Sequence, residues 1–286
     1  MMRRYVTVLL LLAGLLLRAP SVQAQEIQLT GPLAGAPATR HLRLYREGRF
    51  EIAPTVSFTF LDEYRRTILV GGRLQYNVTD WLGIGVWGAF GAISSTTDLT
   101  DQISQVAVRG TRSAVNLPFD PAKTPAQQAS FADQTAQMKW VAAPQVQLTP
   151  FRGKLAIFQK LFVDTDAYFH LGVAFVGLSE RADCGGTNQA SCSDPNKGFA
   201  MNSRTAIAPT FGLGLNFFIN NFMALGVEYR ALPFSWNRAG FDSRGGGPNN
   251  NFPDTKVDSN DQTFKFNQMI TISLGFSLPT EPRISK

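Results

Sequence analysis

The sequence predicts an all-β chain, an eight-stranded antiparallel up-and-down transmembrane β-barrel, and three observations carry that reading. Eight segments alternate apolar with polar residues, an export signal precedes them, and the connections between them are long at one end and short at the other. The last segment shows the alternation most plainly. From Phe264 the even positions read Phe264, Phe266, Gln268, Ile270, Ile272, Leu274 and Phe276, and the odd ones Lys265, Asn267, Met269, Thr271, Ser273 and Gly275. Successive side chains of a strand point to opposite faces, so one face is apolar and the other wet.

Residues 1–24 carry Arg3 and Arg4, a Leu-rich core from Val8 to Leu17, and Val22 and Ala24 around Gln23, which is the make-up of a cleaved secretory signal. A membrane anchor is the competing reading, but the apolar core is well short of the roughly 20 residues of a spanning helix. No cysteine lies near the cleavage point to take a lipid. Losing this segment removes three arginines and no acid, so the formal charge falls from +6 to +3, too mild a balance to imply nucleic acid. Aromatic content is high, with 22 Phe, 4 Trp and 6 Tyr, as a lipid-facing barrel requires.

After a leader at 25–48, the first strand sets Phe50, Ile52, Pro54, Val56, Phe58 and Phe60 outward against Arg49, Glu51, Ala53, Thr55, Ser57 and Thr59. Pro54 has no N–H for a ladder, so a bulge or a missing bond is expected there. The second strand faces lipid with Ile68, Val70, Leu74, Tyr76 and Val78 and the interior with Thr67, Gly71, Arg73, Gln75 and Asn77, and it ends in a tight turn at 77–80. The third, 81–94, turns Leu82, Ile84, Val86 and Phe90 out and Gly83, Gly85, Trp87, Ala89 and Gly91 in, the small residues relieving crowding in a narrow barrel. The fourth, 140–149, is expected to end at a turn holding Pro150 and Gly153; the remaining strands are 163–178, 204–218, 223–236 and the one opening at Phe264.

The connections at 95–139, 179–203 and 237–261 are long and polar, whereas those after the second, fourth and sixth strands are compact. With an even strand number this places the long loops outside the cell and both termini, including a tail at 279–286, in the periplasm of an outer-membrane barrel spanning 49–278. Short helices are expected within 98–108 and 125–138. An aromatic belt is assigned to Trp81 and Phe222, with Phe151 and Phe158, at the short turns, and to Phe60, Trp140 and Trp236 at the long loops. Cys184 and Cys192, in one polar loop of an exported chain, are read as a disulfide, with two free thiols or a metal pair as the alternatives.

Several stretches resemble the myxobacterial-type outer-membrane β-barrel domain family: the strand at 48–60, the Asp62-Glu-Tyr-Arg-Arg66 turn, the hairpin at 77–88 and the Thr149-Pro-Phe-Arg-Gly-Lys154 segment. The resemblance covers most of the mature chain, and the plan is more distantly similar to the small OmpA, OmpX and OmpW barrels. It implies fold and membrane, and no defined activity.

The inward faces gather Arg49, Glu51, Arg73, Gln75, Asp166, His170, Glu228, Arg230 and Lys265 into one lumen. Eight strands enclose an interior just wide enough for side chains, so a plug of ion pairs is expected; the alternative is a narrow gated pore lined by Arg73, Glu228 and Arg230. An enzyme would need an acid-base set or a nucleophile. His170 has no serine in a lipase-like motif, and Asp166, one tilted step away, reads as its structural partner, so no catalysis is expected. A soluble lipocalin-like carrier would invert the faces. The expected partners are outer-membrane lipids and, through the loops, envelope proteins; no nucleic acid and no cofactor is implied, and a monomer is the default.

Overall fold

The computed structural model describes residues 43–106, 122, 124, 130–157, 161–181, 201–241, 243–244 and 257–284. The signal segment and both cysteines lie outside the described residues. In chain order the elements are β1 (Arg43–Leu44), β2 (Arg49–Phe60), β3 (Arg65–Asn77), β4 (Leu82–Thr96), α1 (Asp98–Val106), α2 (Phe131–Gln134), β5 (Gln137–Ile157), β6 (Leu161–Arg181), β7 (Met201–Phe218), β8 (Met223–Trp236), a 3-10 turn (Ser259–Asp261), β9 (Thr263–Leu278) and β10 (Arg283–Ile284). Strands β2 to β9 pair in sequence order, each antiparallel to the next, and β9 returns to β2 through pairs such as Phe58 with Ile270, which closes the barrel.

The faces fall as the alternation requires. Phe50, Phe90, Leu171, Ile207 and Phe264 are exposed on the outside, whereas Arg49, Arg73, Glu228 and Arg230 are buried within. Hydrocarbon is the medium that such an apolar outer surface fits, and closure of the barrel pairs most of its backbone groups between strands. The wall is therefore transmembrane, and the inverted arrangement of a soluble ligand carrier is ruled out. Among the described residues no helix is long and apolar enough to cross a membrane; the strands make the crossing.

Prolines break this wall on one side at a time. Pro54 pairs with Gly72 of β3, but the ladder to β9 passes from Ile52 with Phe276 to Thr55 with Ser273 and skips the residues between, which is the missing bond expected there. Pro144 does the same, pairing with Val86 of β4 while the ladder to β6 jumps from Ala142 with Phe175 to Gln145 with Gly172. The missing N–H points to the interrupted neighbour in each case.

The expected turn at 150–153 is not there. Strands β5 and β6 run for 21 residues each, and Arg152 pairs with Asp166 in mid-ladder. A register shift between Leu148 and Phe151 absorbs Pro150, since a bulge tolerates a residue that cannot donate. At the same end, β1 pairs with β10, Leu44 opposite Arg283, so the end of the leader and the tail form a two-stranded ribbon. Gly48, at φ +68, makes the turn that sends the chain into β2, a conformation that side-chain-bearing residues rarely adopt.

The interior has two storeys. The half nearer the short turns is polar. The half nearer the long connections is packed with Leu69, Val141, Val176, Leu232, Phe234 and Met269, which corrects the expectation of a lumen polar throughout. Inward positions in so narrow a barrel meet side chains and little water, so apolar filling is as stable there as paired charge.

Candidate functional site

Six charges of alternating sign cross the polar storey. Asp166 of β6 accepts a hydrogen bond from Arg46 Nε at 2.9 Å, and Arg46 Nη1 reaches Glu51 of β2 at 3.4 Å. The other Glu51 oxygen takes Arg73 Nη2 of β3 at 2.6 Å, and Arg73 Nη1 lies 3.2 Å from Glu228 Oε2 on β8. Glu228 Oε1 closes the series with Arg230 Nη2 at 2.6 Å. Three cations and three anions, all buried, cancel one another, the condition under which buried charge is tolerated. Neutral groups extend the series: Tyr168 donates its hydroxyl proton to Glu228 Oε2 at 2.9 Å, and Arg230 donates to Gln145 Oε1 at 2.7 Å and to Thr210 Oγ1 at 3.1 Å.

Trp87 divides the storeys. Its ring lies under the Arg230 guanidinium, 4.4 Å from carbon to centroid, and its Nε1–H donates to Thr55 Oγ1 at 3.3 Å. One face of the indole thus meets the charge network while the remainder belongs to the apolar packing, a placement suited to a side chain with an apolar body and one polar edge.

The sequence-predicted residues distribute unevenly over this site. Glu51, Arg73, Asp166, Glu228 and Arg230 join the network. Arg49 is buried but serves the mouth at the turn end, donating to the backbone carbonyls of Tyr45, Asn221, Ser277, Pro279 and Thr280. Gln75 donates to Asn77 Oδ1 at 2.7 Å, to one side of the charges. His170 is buried but is not the partner of Asp166, which Arg46 occupies. Its Nδ1 lies 3.7 Å from Glu228, and neither ring nitrogen has a hydrogen bond.

Lys265 is not in the lumen. The ladder between β9 and β2 ends at Gln268 with Phe60, so β9 rises past the closed wall and Lys265 meets Glu63 on the rim at 3.4 Å. Trp236 is likewise not a belt residue: it points inward and donates to Asn267 Oδ1 at 3.1 Å. Its parity with Glu228 and Arg230 on β8 was the signal for this. Phe60, Trp81 and Phe222 are exposed on the outer face, and Trp140 lies half-buried beside Gly177.

Arg46 is the functional residue that sequence reasoning missed, because it sits in the leader, outside any alternating segment. Its position is tertiary. Its backbone N–H donates to Asp80 Oδ1 at 2.9 Å, Asp80 in turn pairs with Arg152, and the neighbouring Tyr45 stacks on Phe218 with centroids 4.5 Å apart. The leader turn therefore fills the mouth of the barrel and delivers a cation from below.

The opposite mouth is also knitted. Phe131 of α2 is buried between Tyr64 and Phe241, with centroids 5.3 and 5.2 Å away. Gln134 donates to the carbonyl of Ala239 at 3.0 Å and accepts from Arg181 at 2.8 Å, while Arg65 donates to the carbonyl of Ala132 at 2.6 Å. Burial raises the carboxyl of Asp62 above its ordinary range here, even with Arg238 3.3 Å away. Among the described residues no three His, Cys, Asp or Glu side chains converge as metal ligands.

This closed wall, apolar outside and charge-filled inside, defines a transmembrane β-barrel of the outer-membrane type. No family model and no curated protein matches the sequence. Solved structures similar in plan include the following three. The N-terminal barrel domain of OprF from Pseudomonas aeruginosa is 10% identical with a TM-score of 0.40, the match covering 81% of this chain and 98% of that one. The outer membrane protein OprG from the same organism is 11% identical with a TM-score of 0.40, over 82% and 97% of the two chains. The outer membrane protease OmpT from Escherichia coli is 9% identical with a TM-score of 0.29, over 80% and 96%.

Proposed function

We propose that this protein is a structural envelope barrel of the outer membrane with a lumen sealed to ions, its long connections facing outward and both ends of the barrel chain in the periplasm. The observation that carries the reading is the alternating series from Asp166 to Arg230 lying against the apolar storey at Trp87. An ion entering from the turn end meets charges that are already neutralised, and beyond them a packed apolar layer that offers it no ligand. The knitted loop mouth around Phe131 presents a rigid surface on which envelope proteins dock, since recognition resides in loops held by a scaffold.

The competing gated pore uses the same residues, and Arg46 separates the two readings because the leader turn supplies it rather than the wall. In planar bilayers the native barrel is expected to be silent, and Arg46→Ala is expected to remain silent because the apolar layer is intact. Steady unitary currents from the native protein, or opening by Arg46→Ala, would establish the pore instead.

A further inference from the structure

Short turns at this end of an outer-membrane barrel ordinarily close where the wall ends, and the β5–β6 hairpin does not. The ladder from β4 to β5 stops at Leu82 with Leu148, and that from β6 to β7 at Thr165 with Phe217. Strands β5 and β6 stay paired with each other down to Ile157 with Leu161. The four rungs from Lys154 with Asp164 onward therefore form a two-stranded ribbon, about 13 Å long at the rise of a strand, with no further strand on either edge among the described residues. The hairpins after β3 and β7 have no such extension, ending at Asn77 with Gly83 and at Phe218 with Ala224.

Each face of this hairpin continues a face of the wall. The bulge between Leu148 and Phe151 shifts the parity of β5, so below it the odd residues share the lipid-facing side. Phe151 is 65% exposed there, and a Cβ on Gly153 would meet nothing within 4 Å. On that side the register sets Phe151 with Ala167, Leu155 with Val163 and Ile157 with Leu161, and only the rung of Gly153 with Thr165 carries a polar group. The opposite side takes Arg152 with Asp166 and Lys154 with Asp164. This chain already covers that polar side: Tyr45 donates its hydroxyl proton to Asp164 Oδ2 at 2.9 Å, and Arg152 Nη2 donates to the Asp80 carbonyl at 2.5 Å.

The edges and the face of the ribbon ask for different media. Free edges carry backbone N–H and C=O groups that hydrocarbon cannot satisfy, so the four rungs lie outside it. An apolar face is ill-suited to bulk water, and this one is continuous through Phe151 and Ala167 with the lipid-facing wall. The headgroup layer meets both needs, with water and polar groups for the edges and the acyl boundary for the face. We propose that the β5–β6 ribbon is a foot whose outward face rests on the phospholipid headgroup layer at the turn end, a membrane contact additional to the span. The foot presupposes that the wall spans the bilayer, and is independent of whether the lumen conducts.

The test places a thiol on the outward face with Gly153→Cys, in a full-length background carrying Cys184→Ser and Cys192→Ser, and labels it with a nitrobenzoxadiazole fluorophore. The barrel is reconstituted in phosphatidylcholine nanodiscs, which leave both membrane faces open to solutes, and folding is verified by heat-modifiable mobility. Glu281→Cys, exposed at the same end, is the aqueous reference, and Phe90→Cys, exposed on the outer wall, is the hydrocarbon reference. At Gly153→Cys, quenching by aqueous iodide is expected to be at least fivefold weaker than at Glu281→Cys, and a nitroxide on the lipid headgroup is expected to quench more than one at the end of the acyl chain. Iodide quenching equal to that at Glu281→Cys would overturn the foot by placing the face in water. Shielding from iodide with no quenching by either nitroxide would overturn it in favour of a protein cover such as a second copy, and stronger quenching by the chain-end nitroxide would make the ribbon part of the span. A Phe90→Cys label open to iodide would instead overturn the transmembrane placement of the wall. Val163→Cys gives the same reading from β6 where Gly153→Cys does not fold.

Discussion

Glu228→Gln is expected to destabilise the barrel by about 3–5 kcal/mol, the cost of removing one partner from a buried ion pair. The side chain keeps its shape, so the change isolates charge. Glu228 takes Arg73 at 3.2 Å, Arg230 at 2.6 Å and the Tyr168 hydroxyl at 2.9 Å, and the amide leaves Arg73 with Glu51 as its one carboxylate and Arg230 with only the neutral Gln145 and Thr210. Urea titration of the folded, heat-modifiable form in lipid vesicles measures the shift. Lys265→Gln, which breaks an exposed pair with Glu63 on the rim, is the matched control and is expected to cost about 1 kcal/mol or less. Equal midpoints for the two variants would mean that the network is not what holds the polar storey.

Trp87→Ala comes next in size, with an expected loss of about 3–5 kcal/mol for emptying a buried aromatic site. Its functional consequence is larger than its stability cost. The ring separates Arg230, 4.4 Å from its centroid, from the apolar packing above, so its removal joins the two storeys through a space that water can enter. Transient currents in planar bilayers are the expected readout, against silence for the native barrel. Trp87→Phe keeps the ring and loses the bond to Thr55, and is expected to cost about 1 kcal/mol with no current. A silent Trp87→Ala barrel of native stability would show that the seal lies elsewhere.

Particular elements show how far the sequence reached. Strand 223–236 was legible because the turn at 219–222 is short, with Asn220 and Asn221 at its centre, and a second polar loop opens at Asn237. The reversal after the fourth strand was misplaced, because Pro150 and Gly153 carry turn chemistry and a bulge uses the same residues. Trp236 was assigned by its nearness to a loop when its parity already pointed inward. Arg46 had no signal at all, since a cation in a leader has no alternation to report its face.

Period-two alternation by itself determined the wall of this protein: the number of strands, the lipid-facing surface and which strand residues turn inward, because side-chain direction is a local property of a strand. Only the tertiary structure decided which of those side chains meet. Closure and strand tilt bring Glu51, Arg73 and Glu228 to one level, Glu228 from a strand far along the chain, and fold the leader's Arg46 in beneath them. Register between strands is a property of the closed barrel and of no strand alone.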